Sequence, residues 1–185
     1  AAYFDQTGRY AYSRQPDAAM WAVCRLADCF VKIVPKSTLE DCLHGFYAIL
    51  ESTLAKAVQR RLGITFDTAD DERDAMLARQ LFNAAKASDH GFDQIFHDLY
   101  GGVPRCPGYD DDAWIPLLEI VADARLVRQN ALQHPHFKQA DAVSLKIDEV
   151  EALWAPIVAE DNWQPLAEKI SAIRTMRAAL DGAAL

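Results

Sequence analysis

The densest group of side chains that could bind a ligand lies near the start of the chain, at residues 8–16. It combines aromatic, cationic and amide groups: Arg9, Tyr10, Tyr12, Arg14 and Gln15. The planar guanidinium of arginine can pair with a phosphate or a carboxylate through two parallel hydrogen bonds. The stretch is therefore a candidate binding edge. The alternative is a structural strap, in which the tyrosines pack while the arginines and the amide bond carbonyl groups and acids of the same fold.

A helix should follow this stretch and position its side chains. Pro16 suits a first helical turn, because its missing N–H would be unpaired there in any case. Asp17 adds negative charge near the positive end of the helix dipole. Apolar residues then recur at helical spacing, so we expect a helix over residues 16–34 with Trp21 buried on its apolar face. An extended segment over residues 1–16 leads into it.

Six further helices are predicted from apolar periodicity and from helix-starting and helix-ending residues. Their approximate ranges are 37–62, 70–82, 88–100, 112–133, 144–154 and 162–181. Gly63 is placed to end the second helix, and Pro156 should stop or kink the sixth. Ser88 should cap the fourth. No alternating strand pattern occurs, so the predicted fold is all-α, a bundle of about seven amphipathic helices in a single domain over residues 1–185.

Residues 101–112 interrupt the helical pattern with three glycines and two prolines. A helix is unfavourable there, and we predict an exposed loop and a candidate internal boundary. The acids Asp110 to Asp112 could attract a hard cation, but such a site needs about six converging oxygens, and acids also stabilise a helix start. His134 and His136 flank a proline without a further ligand at metal spacing. We therefore assign no metal site and no catalytic residue.

The composition narrows the classes of partner and compartment. The net charge of −8 argues against a general nucleic-acid or anionic-membrane binder, since both need a basic surface. A hydrophobic content of 51% is ordinary for a globular chain. The four cysteines show no Cys-x-x-Cys spacing, and no leader or long apolar span is present. We predict reduced thiols and a cytoplasmic protein.

A pattern of identities runs through the opening stretch and the first helix. Its residues are Gly8, Arg9, Tyr10, Tyr12, Gln15, Pro16, Trp21, Arg25, Leu26 and Ala27. This pattern resembles the selenoprotein O family, which are protein adenylyltransferases on a kinase-like fold. Residues 59–63 and 93–99 are also similar to that family, so the likeness covers about the first hundred residues. It fades after Tyr100, and the family's Asn-Pro and Arg-Asn motif is not found near the C-terminal helices.

The resemblance implies that the chain is the C-terminal helical part of a kinase-like fold. In the family, the ATP-binding lysine, the catalytic aspartate and the Asp-Tyr-Gly metal motif precede the Gly-Arg-Tyr residues. The present sequence contains no Gly-rich loop, no Asn-Asp pair and no Asp-Tyr-Gly. The complete family protein uses ATP and Mg²⁺ to place AMP on Ser, Thr or Tyr hydroxyls of other proteins. This chain alone should need no cofactor and transfer no AMP.

The expected partner is then the N-terminal catalytic portion that this sequence lacks. The five side chains of the candidate edge, Arg9 to Gln15, should partly face that portion. The alternative function is a stand-alone, non-catalytic helical module that binds other proteins. The sequence does not identify a protein substrate in either case.

Overall fold

A computed structural model of the protein describes residues 6–8 and 14–181. Within them the chain forms eight α-helices: α1 (Gln15–Asp28), α2 (Lys36–His44), α3 (Phe46–Leu62), α4 (Asp71–Ala87), α5 (Phe92–Asp98), α6 (Ile115–Val121), α7 (Ile147–Glu160) and α8 (Gln164–Asp181). Two short strands, β1 (Ile64–Thr65) and β2 (Arg125–Leu126), pair in antiparallel fashion. Two 3₁₀ turns span Ala131–Gln133 and Pro135–Lys138. Helix dominates, so the all-α prediction is confirmed.

The chain divides into two compact units, residues 1–54 and 55–185. The first unit contains α1 and α2, which pack against each other, and the start of α3. None of the residues described in this unit is buried. Trp21 is 61% exposed, so the expectation that it would be buried is wrong. The periodicity of α1 correctly indicates an apolar face, but no layer of this unit covers that face.

The second unit has a well-packed core built from α3, α4, α5 and α6, with α4 lying against α6. Its largest fully buried side chains are Leu62, Leu77, Leu81, Ile95, Trp114 and Leu117. Burying one such side chain contributes roughly 1.5–3 kcal/mol relative to leaving it in water. This core therefore supplies most of the apolar stabilisation of the described chain.

The predicted helices differ from the structure at several boundaries, among them that of the helix predicted over residues 16–34, which ends at Asp28; two predicted helices differ most. The predicted helix over residues 37–62 is two helices, because α2 ends at Gly45 and α3 begins at Phe46. The predicted helix over 112–133 ends at Val121, and β2 follows where helix was expected. The N–H of Val127 donates to the carbonyl of Gly63 at 2.9 Å. This long-range pairing supplies backbone hydrogen bonds that a helical periodicity cannot reveal.

Smaller differences concern caps and prolines. Ser88 ends α4 rather than capping the next helix, and Gly91 precedes α5. Pro156 lies inside α7 and does not stop it. Proline removes one N–H from the helix ladder, but Ala152, whose carbonyl loses that donor, is exposed and can bond water. Asp161 then ends α7 in the left-handed conformation, with φ of 52°.

Gly63 follows the end of α3, as its position after a basic run predicts, and this turn packs against the residues that follow α5. Its φ is +65°, and an added Cβ would lie 2.2 Å from the Tyr100 ring. The carbonyl of Leu62 accepts a hydrogen bond from the N–H of Gly101 at 2.8 Å. A residue with a side chain would meet both backbone strain and a steric clash here.

Trp114 and Trp21 provide a direct test of which unit holds the core. Trp114→Ala should lower the free energy of unfolding by roughly 3–5 kcal/mol, because it empties a site that is 1% exposed. Trp21→Ala should change it by no more than about 0.5 kcal/mol. Urea unfolding followed by circular dichroism measures both, and similar losses in the two variants would contradict the assigned core.

Gly63→Ala should destabilise the protein by at least about 1–3 kcal/mol through left-handed strain, with the clash against Tyr100 adding to it. Gly45→Ala is the matched control, since its φ is −73° and the nearest atom to an added Cβ is 3.8 Å away. That control should be neutral or slightly stabilising. Equal effects on the urea midpoint would refute the role assigned to Gly63.

Candidate functional site

The predicted binding edge is only partly within the described residues. Arg9, Tyr10 and Tyr12 lie outside them, while Arg14 and Gln15 stand exposed at the start of α1. Arg14 Nε donates to Asp17 Oδ2 at 3.0 Å, and both side chains are more than half exposed. Exposed pairs of this kind contribute about 0–1 kcal/mol, so Arg14 is available to another anion at little cost. Its role in binding stays a prediction.

A buried polar cluster in the second unit is the most elaborate arrangement of functional groups. Its centre is the carboxylate of Asp98, whose side chain is 3% exposed. Tyr109 O–H donates to Asp98 Oδ2 at 2.9 Å, and Gln94 Nε2 donates to Oδ1 at 2.8 Å. His97 Nδ1 lies 3.3 Å from Oδ1. The loop between α5 and α6 thus folds back onto one ionisable group.

The neighbours of Asp98 extend this cluster to the 3₁₀ turns. Arg105 donates to the carbonyls of His97 and Phe137, the latter at 2.6 Å. The other ring nitrogen of His97, Nε2, lies 3.2 Å from the carbonyl oxygen of His136. Since both nitrogens of His97 are engaged, the imidazole has no free nitrogen to offer a substrate. The cluster is built to hold backbone segments together.

Burial and hydrogen bonding set the protonation states in this cluster. Burial alone would raise the pKa of Asp98, but the bonds from Tyr109, Gln94 and His97 outweigh it, and the pKa lies below its usual value. Burial, followed by the bond to Asp98, raises the pKa of the Tyr109 phenol. The carboxylate therefore stays ionised and the phenol stays protonated, as their hydrogen bond requires.

The surroundings of His136 lower the pKa of its imidazole well below the usual value. It is 4% exposed, and its ring centroid lies 5.1 Å from that of His97 and 4.8 Å from that of Phe137. Burial, then the neighbouring His97, His134 and Arg105, lowers its pKa from 6.5 to about 4. The ring is neutral in the folded protein at neutral pH.

Reasoning from the sequence missed this cluster. The sequence predicts a helix here, and a signal for the cluster is present: four of the seven residues of α5 are polar, Asp93, Gln94, His97 and Asp98. Polar residues that a short helix buries require partners, so this composition indicates a network. Their partners at 105, 109 and 136–142 are too distant in sequence to be inferred from spacing.

The groups considered as metal ligands remain apart in the described chain. No set of three or more His, Cys, Asp or Glu side chains among residues 6–8 and 14–181 is arranged to hold a metal ion. The three aspartates Asp110 to Asp112 are exposed. His134 instead accepts a hydrogen bond from the N–H of His136 at 3.2 Å through Nδ1. The four cysteines are free thiols, and no helix described is long and apolar enough to cross a bilayer.

The sequence of the chain matches one protein family and several of its members. The sequence model of the family described as "Protein adenylyltransferase SelO" matches residues 1–105. The chain is similar to a protein nucleotidyltransferase YdiU of Synechocystis sp., with 24% identity over 95% of this chain and 40% of the relative. The YdiU protein of Trichormus variabilis gives the same percentages. That of Jannaschia sp. is 30% identical over 55% of this chain and 22% of the relative.

The chain therefore spans about two-fifths of the length of the Synechocystis and Trichormus relatives. The family model ends within the loop that follows α5, just before Tyr109. The Synechocystis alignment continues through nearly all of the remaining chain. No solved structure matches the chain.

The depressed pKa of His136 predicts a specific loss of stability on acidification. The unfolded chain takes up a proton near pH 6.5, whereas the folded chain does so only near pH 4. The free energy of unfolding should therefore fall as the pH drops from about 6.5 to about 4, by about 2 kcal/mol between pH 7 and pH 5. His136→Phe should remove this part of the pH dependence.

Urea midpoints at pH 7 and pH 5 measure the effect in the original chain and in His136→Phe. The control is His44→Gln, which changes an exposed histidine and should leave the pH dependence as it is. An identical pH dependence in the original chain and His136→Phe would show that the ring is not held neutral by the fold.

Proposed function

Because the family model covers more than half of its length, the chain belongs to the SelO family of protein adenylyltransferases, and we propose that it forms the helical region of a protein nucleotidyltransferase. In this proposal the complete protein transfers AMP from ATP to Ser, Thr or Tyr hydroxyls of other proteins. In this proposal another part of that protein supplies the groups that bind ATP and Mg²⁺. The observation that carries the proposal is the match over residues 1–105, which includes the opening stretch and helices α1 to α5.

The residues described here do not fit an ATP–Mg²⁺ site. Mg²⁺ prefers near-octahedral oxygen ligands, with carboxylates and phosphates among them. The best-placed carboxylate, that of Asp98, is buried and faces Tyr109, Gln94 and His97. Asp93 pairs with Arg61. We therefore assign no step of AMP transfer to this part of the chain.

The apolar face of α1 supports a role as a contact surface for the rest of such a protein. Val23 and Leu26 on α1 and Phe30 in the turn just after it share one side of the helix, and they are 40%, 58% and 44% exposed. Grouped apolar exposure of this kind marks surfaces that bind other protein segments. We infer that the catalytic portion of the family protein covers this face, with Arg14 and Gln15 at its edge.

Labelled ATP tests the proposal directly. In AMP transfer a hydroxyl oxygen bonds to the α-phosphorus and pyrophosphate leaves, so the α-phosphate is retained on the protein. The purified chain, given Mg²⁺, an acceptor protein and ATP labelled on the α-phosphate, should transfer no label, because it lacks groups that neutralise the phosphates.

The full-length Synechocystis relative should transfer α-label under the same conditions, and ATP labelled on the γ-phosphate should leave no label. Removing from that relative the region aligned with this chain should abolish transfer. Label on the acceptor from the isolated chain, above a heat-treated control, would overturn the placement of the catalytic groups. Full activity of the shortened relative would overturn the role of the helical region.

A further inference from the structure

Helix α7 is mostly apolar in composition, yet none of its residues is buried. Trp154 is 59% exposed and Val158 67% exposed. The helix contacts α8, and Glu149 fixes that contact by pairing with Lys169 at 2.6 Å and accepting a bond from Ser144. A helix that is apolar on most of its surface is normally covered. One side of α7 contacts α8, and its other sides are exposed.

An apolar groove lies along α7 beside the start of α8, and we term it the α7 groove. A hollow of about 260 Å³ is lined by Leu145, Val150, Leu153, Trp154, Ile157 and Leu166. Next to it, Val150, Trp154 and Val158 form a ridge at four-residue spacing, and the small side chains of Ala155 and Ala159 line its flank. Ridges at this spacing interdigitate with those of another helix, and small residues let the two approach closely.

Charge selects among the occupants that such a groove could take. Asp148 and Glu151 stand exposed at one end of α7, beside exposed Lys146 at its N-cap, and Glu160 and Asp161 stand exposed at the other end; no Lys or Arg occurs within the helix. None of these four acids takes part in an ion pair found among the described residues. Both ends therefore carry a net negative charge, and a second copy packed through α7 would place like net charges against each other in either direction. An anionic membrane surface would be repelled in the same way.

We propose that the α7 groove binds an amphipathic helix of a partner protein, one whose apolar face is flanked by Lys or Arg. The apolar face would cover Trp154, Val150 and Val158, and the basic residues would meet the acids at the two ends of α7. This mode of helix-in-groove recognition takes its affinity from apolar anchors and its selectivity from flanking charge. The proposal does not depend on the nucleotidyltransferase assignment.

A synthetic helical peptide of roughly 18 residues, five turns, tests the groove. Its sequence places leucine along one face and lysine elsewhere, and it carries a fluorescent label whose anisotropy is followed as the full chain is added. We expect saturable one-to-one binding. Trp154→Ala should weaken it at least tenfold, and the control Trp21→Ala, which removes a tryptophan that is 61% exposed on α1, should leave it unchanged.

Charge variants separate groove binding from general attraction to an acidic protein. Glu151→Lys with Glu160→Lys should weaken binding about tenfold, whereas Asp110→Lys with Asp112→Lys, an equal change of net charge on exposed loop acids, should have little effect. Circular dichroism and the urea midpoint confirm that each variant is folded.

Four results would overturn the proposal. The first is equal binding of a peptide with glutamate in place of lysine, and the second is equal binding of a scrambled peptide that has no apolar face. The third is no loss of affinity in Trp154→Ala. The fourth is a dimer in sedimentation equilibrium that Trp154→Ala dissociates, because a second copy would then occupy the groove.

Discussion

The buried carboxylate of Asp98 is the constraint around which the second unit is arranged. A charge in an apolar interior is tolerated only when hydrogen-bond donors surround it. Tyr109 donates to Oδ2 of this carboxylate at 2.9 Å, and Gln94 donates to Oδ1 at 2.8 Å. The backbone N–H of Arg105 also donates to the backbone carbonyl of Asp98, at 3.1 Å. The loop after α5 must therefore return to the end of that helix.

Gln94 carries this constraint further along the chain. Its side chain bonds the carboxylate of Asp98, donates to the carbonyl of Ala140 at 2.9 Å and accepts from the N–H of Ala142 at 2.8 Å. His97 and Arg105 hold the neighbouring 3₁₀ turn through its carbonyl groups. The loop after α5 and the stretch from the 3₁₀ turn to Ala142 are thus both held by a single helix of seven residues.

The fold class could be predicted from the sequence, whereas the long-range organisation could not. Caps and glycines located α4 and the end of α3 correctly, because Asp70 and Gly63 act through neighbours within a few residues. The bonds that tie the polar cluster to residues 136–142 join positions separated by 32 to 48 residues. No local rule encodes them. Trp21 shows the same limit: its spacing predicts an apolar face, but burial depends on whether another element covers that face. The candidate edge at Arg14 could be identified from residue types, while its pairing with Asp17 required coordinates.

The central place of α5 has a consequence for the order in which a nascent chain can mature. The helix leaves the ribosome before residues 136–142, which supply the carbonyl and amide groups that its side chains Gln94 and His97 bind. Until those residues emerge, Gln94, His97 and Arg105 must remain hydrated, since an unpaired polar group is costly to bury. These side chains must lose their bound water before the helix α5 can be buried. The polar side of α5 should therefore be closed off only after residues 136–142 have emerged.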